Sequence, residues 1–199
     1  MSTESVQITQ ATPDRHEALA SVFGRAFVVE PMMRWPLGED EEIEIEERLV
    51  RAFDLFMEGP IRLGMVWEAG AGTGALILIP AGQMNAVEDG NQAMRTVYER
   101  ADGARRFDRL WDWVESKHPE EPLALLDSVA VEPAEQGRGI GSALIRSGLD
   151  RARAAGHGAW IETGNPRNVP LYERHGFRVV EDADAPGGGP HIWFMRWDL

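Results

Sequence analysis

Apolar positions along the chain change period several times, and each change marks an element. Val6–Gln10 alternates apolar with polar and predicts a short strand. Thr12-Pro13 reads as an N-cap and a first-turn proline, with Leu19, Val22, Phe23 and Phe27 following at helical spacing. Pro31–Pro36 encloses Met32, Met33 and Trp35, and its prolines argue against continuous helix. A second helix is expected from Asp40 to Met57, its stripe being Ile45, Leu49, Phe53 and Phe56. Leu63–Ala69 and Ala75–Ile79 predict two strands joined by the turn Gly70-Ala71-Gly72-Thr73-Gly74. That turn lacks the Gly-x-Gly-x-x-Gly register opening a helix, so it reads as a hairpin and not as a dinucleotide loop. Gln92–Lys117 is mainly helical, with a break at Ala101–Ala104. Leu123–Val131 predicts an apolar strand, Gly139–Ala155 a helix closed by Gly156, Ala159–Thr163 a strand and Asn168–His175 a short helix. Strands follow around Phe177–Glu181 and Ile192–Trp197, divided by the Pro186–Pro190 loop. The order βααββαβαβαββ predicts a mixed α/β or α+β fold, one domain over residues 1–199.

Composition narrows the function classes. The 199 residues contain no cysteine, which excludes disulfides, thiolate metal sites and a cysteine nucleophile. A formal net charge of −13 argues against nonspecific nucleic-acid or anionic-membrane binding, both of which need a cationic surface. Met1–Gln10 has neither an apolar core nor a basic flank, so no signal peptide is expected. No apolar run approaches the ~18 residues of a transmembrane helix, and cytoplasm is the expected compartment. The five histidines show no ligand spacing, and no metal is expected. Glu39–Glu47 carries seven acids in nine residues, read as a solvated helix start or as a collar for cationic ligands.

The informative stretch runs from the strand into the next helix, with Gly137, Gly139 and Gly141 leading in. Glycines let backbone approach a ligand closely, and the first amides of a helix lack intrahelical partners. With the helix dipole they suit a phosphate, and Arg138 adds a fixed positive charge. The segment from 137 to 175 holds six arginines against three acids, so the chain's acidity lies elsewhere.

Gln136-Gly-Arg-Gly139-Ile-Gly141, after Val129-Ala-Val131 and Glu-Pro, resembles the Gln/Arg-x-x-Gly-x-Gly/Ala signature of the GCN5-related N-acetyltransferases (GNAT). Asn165-Pro-Arg-Asn168-Val-Pro-Leu-Tyr172-Glu-Arg-His-Gly176-Phe177 is similar to that family's second motif. Within the family the likeness is strongest to the puromycin N-acetyltransferases, through His118-Pro, Glu121-Pro122, the 129–139 segment and Glu162 to Phe177. The resemblance implies a mixed, largely antiparallel sheet, splayed between its central strands, with helices on both faces. It implies acetyl-CoA as donor, its pyrophosphate held by the amides of Arg138, Gly139, Ile140, Gly141 and Ser142, and its pantetheine paired with Val129, Ala130 and Val131. Gln136 and Gly137 belong to the same motif.

An acetyl transfer needs a neutral amine and a proton for the departing thiolate. Without cysteine, direct attack replaces an acyl-cysteine intermediate. Tyr172 is the candidate acid, a role the resemblance assigns; the competing reading is a core aromatic. Glu162 follows Trp160-Ile161 near its strand's carboxyl end, where it would accept the amine's proton, hold an ammonium, or pair with an arginine. Asp127 interrupts an apolar strand in phase with Val129 and Val131, a costly place for a lone carboxylate unless it is paired or functional. It departs from the puromycin-type pattern, which has a small apolar residue there. Asn165 and Asn168 would bond the pantetheine or cap the short helix, capping being the reading for Asn168. Met32, Met33 and Trp35 line an acceptor pocket or pack in the core. Trp193, Met195 and Trp197 read as core or interface, which makes a homodimer plausible. The expected acceptor is a small-molecule primary amine. Alternatives are a protein or peptide amine, and a noncatalytic acyl-CoA-binding regulatory module.

Overall fold

The computed structural model describes residues 6–38, 42–100 and 102–199. In chain order they form β1 (Ile8–Gln10), α1 (His16–Phe27), α2 (Pro31–Leu37), α3 (Glu42–Arg62), β2 (Val66–Ala69) and β3 (Gly74–Ile79). Then come α4 (Glu88–Arg95), α5 (Gly103–Glu115), β4 (Ala124–Val131), α6 (Ile140–Ala154), β5 (Ala159–Thr163), α7 (Val169–Glu173), β6 (Arg178–Asp184) and β7 (His191–Trp197). No described helix is long and apolar enough to cross a membrane.

The seven strands make one sheet in the order β1-β2-β3-β4-β5-β7-β6. Every neighbouring pair is antiparallel except β4 and β5, which run parallel. Side chains alternate between two cores, as a strand's period of two requires. Ile77, Ile79, Leu125, Trp160 and Phe194 pack with residues of α1 to α5 on one face. Leu76, Leu78, Leu126, Ile161 and Met195 pack with α6, Tyr172 and Phe177 on the other. Both faces are covered, which is why the central strands read as near-continuous apolar runs. Leu144 and Ile145 of α6 are fully buried, each such side chain contributing roughly 1.5–3 kcal/mol relative to exposure.

Two features of β4 position the site. It pairs with β5 only at Ala124↔Ala159 and Leu125↔Trp160, after which the strands part. Against β3 the register moves from Leu78↔Leu126 to Ile77↔Ser128, leaving Asp127 as the extra residue of a β-bulge. The bulge swaps the faces beyond it: Leu126 and Val129 pack on the same side although three residues apart. Asp127 is therefore not in phase with Val129 and Val131. Just past β4, Glu132 takes a bidentate pair from Arg25 at 2.9 Å, tying α1 to the start of the glycine loop.

Several expectations needed correction. Pro31–Leu37 is helical: Pro31 sits at the first position, where no amide is needed, and Pro36 lies in the last turn. α3 continues through Pro60 to Arg62, so β2 starts at Val66 and not at Leu63. Residues 92–117 divide into α4, a single 3-10 turn at Thr96–Tyr98 and α5. Of the expected break, Ala101 lies outside the described residues, as do Glu39, Asp40 and Glu41 of the acidic run. Thr12 occupies the cap position, yet its hydroxyl bonds Asp14 at 2.6 Å and no backbone amide.

Candidate active site

Where β4 and β5 part, a cavity of about 570 Å³ opens. It reaches from the loop between β4 and α6 on one side to α1, α2 and α5 on the other. Every site residue read from the sequence lines it except Ala130 and Arg138. Ala130 is fully buried in the core on the α1 side of the sheet. Arg138 turns outward to Glu135, 2.8 Å away, with 65% of its side chain exposed.

The loop end of the cavity is made of backbone. Gly137 and Gly139 have φ of +78° and +84°, the left-handed region that other L-residues enter at a cost. The first bond into α6 is Ala143 N–H to the Gly139 carbonyl, 3.0 Å, so the amides from Gly137 to Ser142 lack partners among the described residues. Gln136 donates its side-chain amide to the Val131 carbonyl at 3.2 Å, folding the loop back on β4. Beyond Leu125, β4 has no strand partner on the β5 side among the described residues, which leaves an open strand edge beside the loop. Free amides at a helix N-terminus and an open strand edge fit a long ligand carrying a pyrophosphate and amide groups.

Asn165 and Asn168 shape the rim. The Asn165 side-chain Oδ1 accepts Arg167 N–H at 3.1 Å, a local turn. Asn168 precedes α7 without capping it; its side-chain amide donates to the Thr163 hydroxyl at 3.2 Å. The expected cap is thus a brace between α7 and the end of β5.

The opposite end is made of side chains. Tyr172 is 6% exposed, and its hydroxyl has no hydrogen-bond partner among the described residues. Burial, reinforced by the charges of Glu30 and Glu162, pushes the phenol above its ordinary value, so it carries its proton at neutral pH. Asp127 is half-buried and lines the cavity wall. Burial drives its carboxyl up to about 7, against the Ser128 hydroxyl at 3.0 Å, while Glu162 raises it further and His118 opposes. Glu162 has 10% of its side chain exposed and lies 3.5 Å from His118 Nε2. Neither that nitrogen nor Glu162 Oε2 completes a well-formed hydrogen bond. The arginine partner considered for Glu162 is a histidine instead.

Two groups were not among the site residues expected from the sequence. Glu30, in the turn between α1 and α2, is 9% exposed and accepts Gly164 N–H at 2.8 Å. Burial raises its carboxyl to about 7, despite bonds from Gly164, Met32 and Thr163. A Cβ on Gly164 would stand 2.9 Å from this carboxylate, so the close approach depends on glycine. A lone acid in the apolar run Phe27–Met33 was the available signal, the same one that singled out Asp127. His118 offered no such signal, because its neighbours Glu162 and Asp127 are brought by other strands. Met32 and Met33 serve both readings offered for them, buried in the core and lining the cavity. Met195 and Trp197 are core residues.

A parted pair of parallel central strands, an amide-lined loop, a buried tyrosine and carboxylates thus share one two-ended cavity. Residues 103–177 match the profile of the Acetyltransferase (GNAT) family. A mycothiol acetyltransferase of Corynebacterium glutamicum is 39% identical over 85 residues, covering 36% of this chain and 28% of that protein. The chain thus spans less than a third of the length of that curated relative. A solved structure from the same organism, described as histone acetyltransferase HPA2 and related acetyltransferase, superposes with a TM-score of 0.68 at 22% identity, covering 97% of this chain and 96% of that one. An agmatine N-acetyltransferase mutant gives 0.69 at 14% identity, covering 98% and 100%. Residues 103–177 thus match the GNAT family model, and the chain shares its fold with these solved acetyltransferases.

Proposed function

We propose that the protein is an acetyl-CoA-dependent N-acetyltransferase that moves an acetyl group directly to a primary amine of a small molecule. The observation that carries this reading is one cavity joining the free amides of Gly137–Ser142 to Tyr172, Glu162 and Asp127. The donor's phosphates fit the amide loop, and its pantetheine fits the open edge at Val129–Val131. Bound there, acetyl-CoA supplies an activated thioester. Tyr172, kept protonated by its surroundings, is placed to give a proton to the departing sulfur. Glu162 accepts the proton that the acceptor nitrogen must lose. Asp127, beside it, completes a negative environment for an incoming ammonium. The names of the similar proteins, mycothiol and agmatine acetyltransferases, support an amine-bearing acceptor.

The test is CoA-thiol release with acetyl-CoA and a panel of amines: aminonucleosides including puromycin, aminoglycosides, arylalkylamines, diamines and a peptide amino terminus. Turnover with small amines, lost in Tyr172→Phe, is the expected outcome. Turnover with the peptide alone moves the acceptor class to proteins. Tight acetyl-CoA binding with no turnover on any amine replaces the enzyme reading by a binding module.

A further inference from the structure

We propose that His118 is a positioning residue for Glu162, holding its carboxylate ionised and carrying away to water the proton that the acceptor ammonium sheds. The inference rests on the acetyl-transfer reading above and adds a residue outside both recognised motifs. Three observations meet at this side chain. Its Nε2 is sealed from solvent, unpartnered by any good hydrogen bond and 3.5 Å from an equally unpartnered Glu162 oxygen. The ring stands edge-on to Trp160, centroids 6.0 Å apart, which fixes the direction of that nitrogen. A fifth of the side chain stays open to water, twice the exposure of Glu162.

The charged groups acting on His118 are all acids: Glu162 from β5, Asp127 from β4 and Glu115 from α5. Burial pulls the imidazole down, but these carboxylates outweigh it and leave the net shift upward. In the resting protein His118 is therefore the counter-ion of Glu162. A cationic acceptor at Glu162 replaces it. The imidazolium, now beside a like charge, loses its proton to water and takes one back when the neutral product leaves, so this exchange adds nothing to the net count.

The proton balance then closes. The acceptor R–NH3⁺ gives one proton to Glu162, its nitrogen becoming the neutral nucleophile. Glu162 passes that proton to Nε2 of the neutral ring, and the imidazolium releases one from Nδ1, which has no partner among the described residues. One proton leaves for each ammonium acetylated, which is the stoichiometry of amide formation from a thioester. No oxidant or further reactant is required.

Two measurements test this. In the first, His118 is followed by proton–nitrogen NMR of the whole chain through a pH titration. It is expected to titrate above 6.5 in the wild type, and at least about one unit lower in Glu162→Gln. In the second, kcat/KM against pH is measured for the best amine of the panel. His118→Gln is expected to move the acid limb up by about one unit and leave acetyl-CoA affinity unchanged. His118→Ala is expected to recover turnover when imidazole is added to the buffer. An unshifted acid limb together with no imidazole rescue overturns the proposal, as does a His118 titration indifferent to Glu162→Gln. Should His118→Gln fail to fold, the wild-type and Glu162→Gln titrations still decide. Should no amine be acetylated at all, the acetyl-transfer reading fails, while the titration still shows whether His118 and Glu162 hold one proton between them.

Discussion

The two ends of the cavity are built from different materials. At the loop end, six consecutive residues present backbone amides, and their side chains matter chiefly by being small or by facing away. At the far end, Glu30, His118, Asp127, Glu162 and Tyr172 arrive from five separated segments, and the backbone serves only to place them. Backbone recognition is indifferent to protonation, whereas the far end holds several titratable groups within one poorly solvated space. Donor binding is therefore expected to be nearly flat with pH, and everything pH-dependent to belong to the acceptor side.

The sharpest way to separate the ends is Tyr172→Phe. It removes one hydroxyl from a side chain that packs against Phe177, ring centroids 6.0 Å apart, and leaves that contact intact. Turnover is expected to fall roughly 10²–10⁴-fold, the usual weight of a positioned general acid, with acetyl-CoA affinity changed little. Stopped-flow thiol release and titration calorimetry read the two quantities. A parallel loss of binding would make the tyrosine part of the donor site and dissolve the distinction.

Gly139→Ala probes the other end. Nothing lies within 4 Å of the added Cβ, so crowding plays no part and only the φ of +84° opposes the change. A left-handed L-residue costs about 1–2 kcal/mol, so acetyl-CoA is expected to bind about 10-fold weaker as the loop relaxes. The pH profile of turnover should keep its shape. A changed profile with unchanged affinity would place the effect at the wrong end.

Asp127→Asn tests the claim that pH dependence lives among the carboxylates. The folded protein holds this carboxyl near 7, against an unfolded value of 3.8. Below about 4 it is protonated in both states and contributes nothing. Between about 4 and 7 the folded state binds the extra proton, so stability falls as pH rises, and above 7 the full penalty is present. The variant lacks that penalty. Its melting temperature relative to wild type is expected to rise by at least about 2–4 °C between pH 5 and pH 8, the equivalent of roughly 1 kcal/mol in a chain of this size. Equal differences at the two pH values would mean that cavity water already solvates the carboxylate.

The same contrast explains what could be read from the sequence. The amide loop was legible because glycine spacing between a strand and a helix is a local constraint. β5 was placed to the residue, Ala159–Thr163, because its apolar run lies between Gly158 and Gly164. Asp127 was found because a carboxylate in an apolar strand is anomalous wherever the strand packs, and Glu162 because it follows an apolar pair at its strand's carboxyl end. The phase of Asp127 was misread, since a bulge is a property of two strands and β3 lies about 50 residues earlier. His118 stayed invisible for a similar reason: nothing near it in sequence announces Glu162. The helix at Pro31–Leu37 was lost to a rule applied without position, as a proline opening a helix forfeits no hydrogen bond.

The smallest expected effect concerns the residue whose chemistry looked most suggestive. Arg138 lies inside the loop motif, yet its guanidinium is mostly exposed and already engaged with Glu135 three residues earlier. An exposed pair of that kind is worth about 0–1 kcal/mol and is screened by salt. The charge it offers a phosphate is thus partly spent and well solvated. Arg138→Ala is expected to weaken acetyl-CoA binding only about 2–5-fold at low salt, with the difference shrinking as ionic strength rises. A loss of 100-fold or more would mean that the guanidinium leaves Glu135 and closes over the phosphates. The loop end would then depend on a charged side chain after all, and the contrast between backbone recognition and side-chain chemistry would have to be redrawn with Arg138 on the side of chemistry.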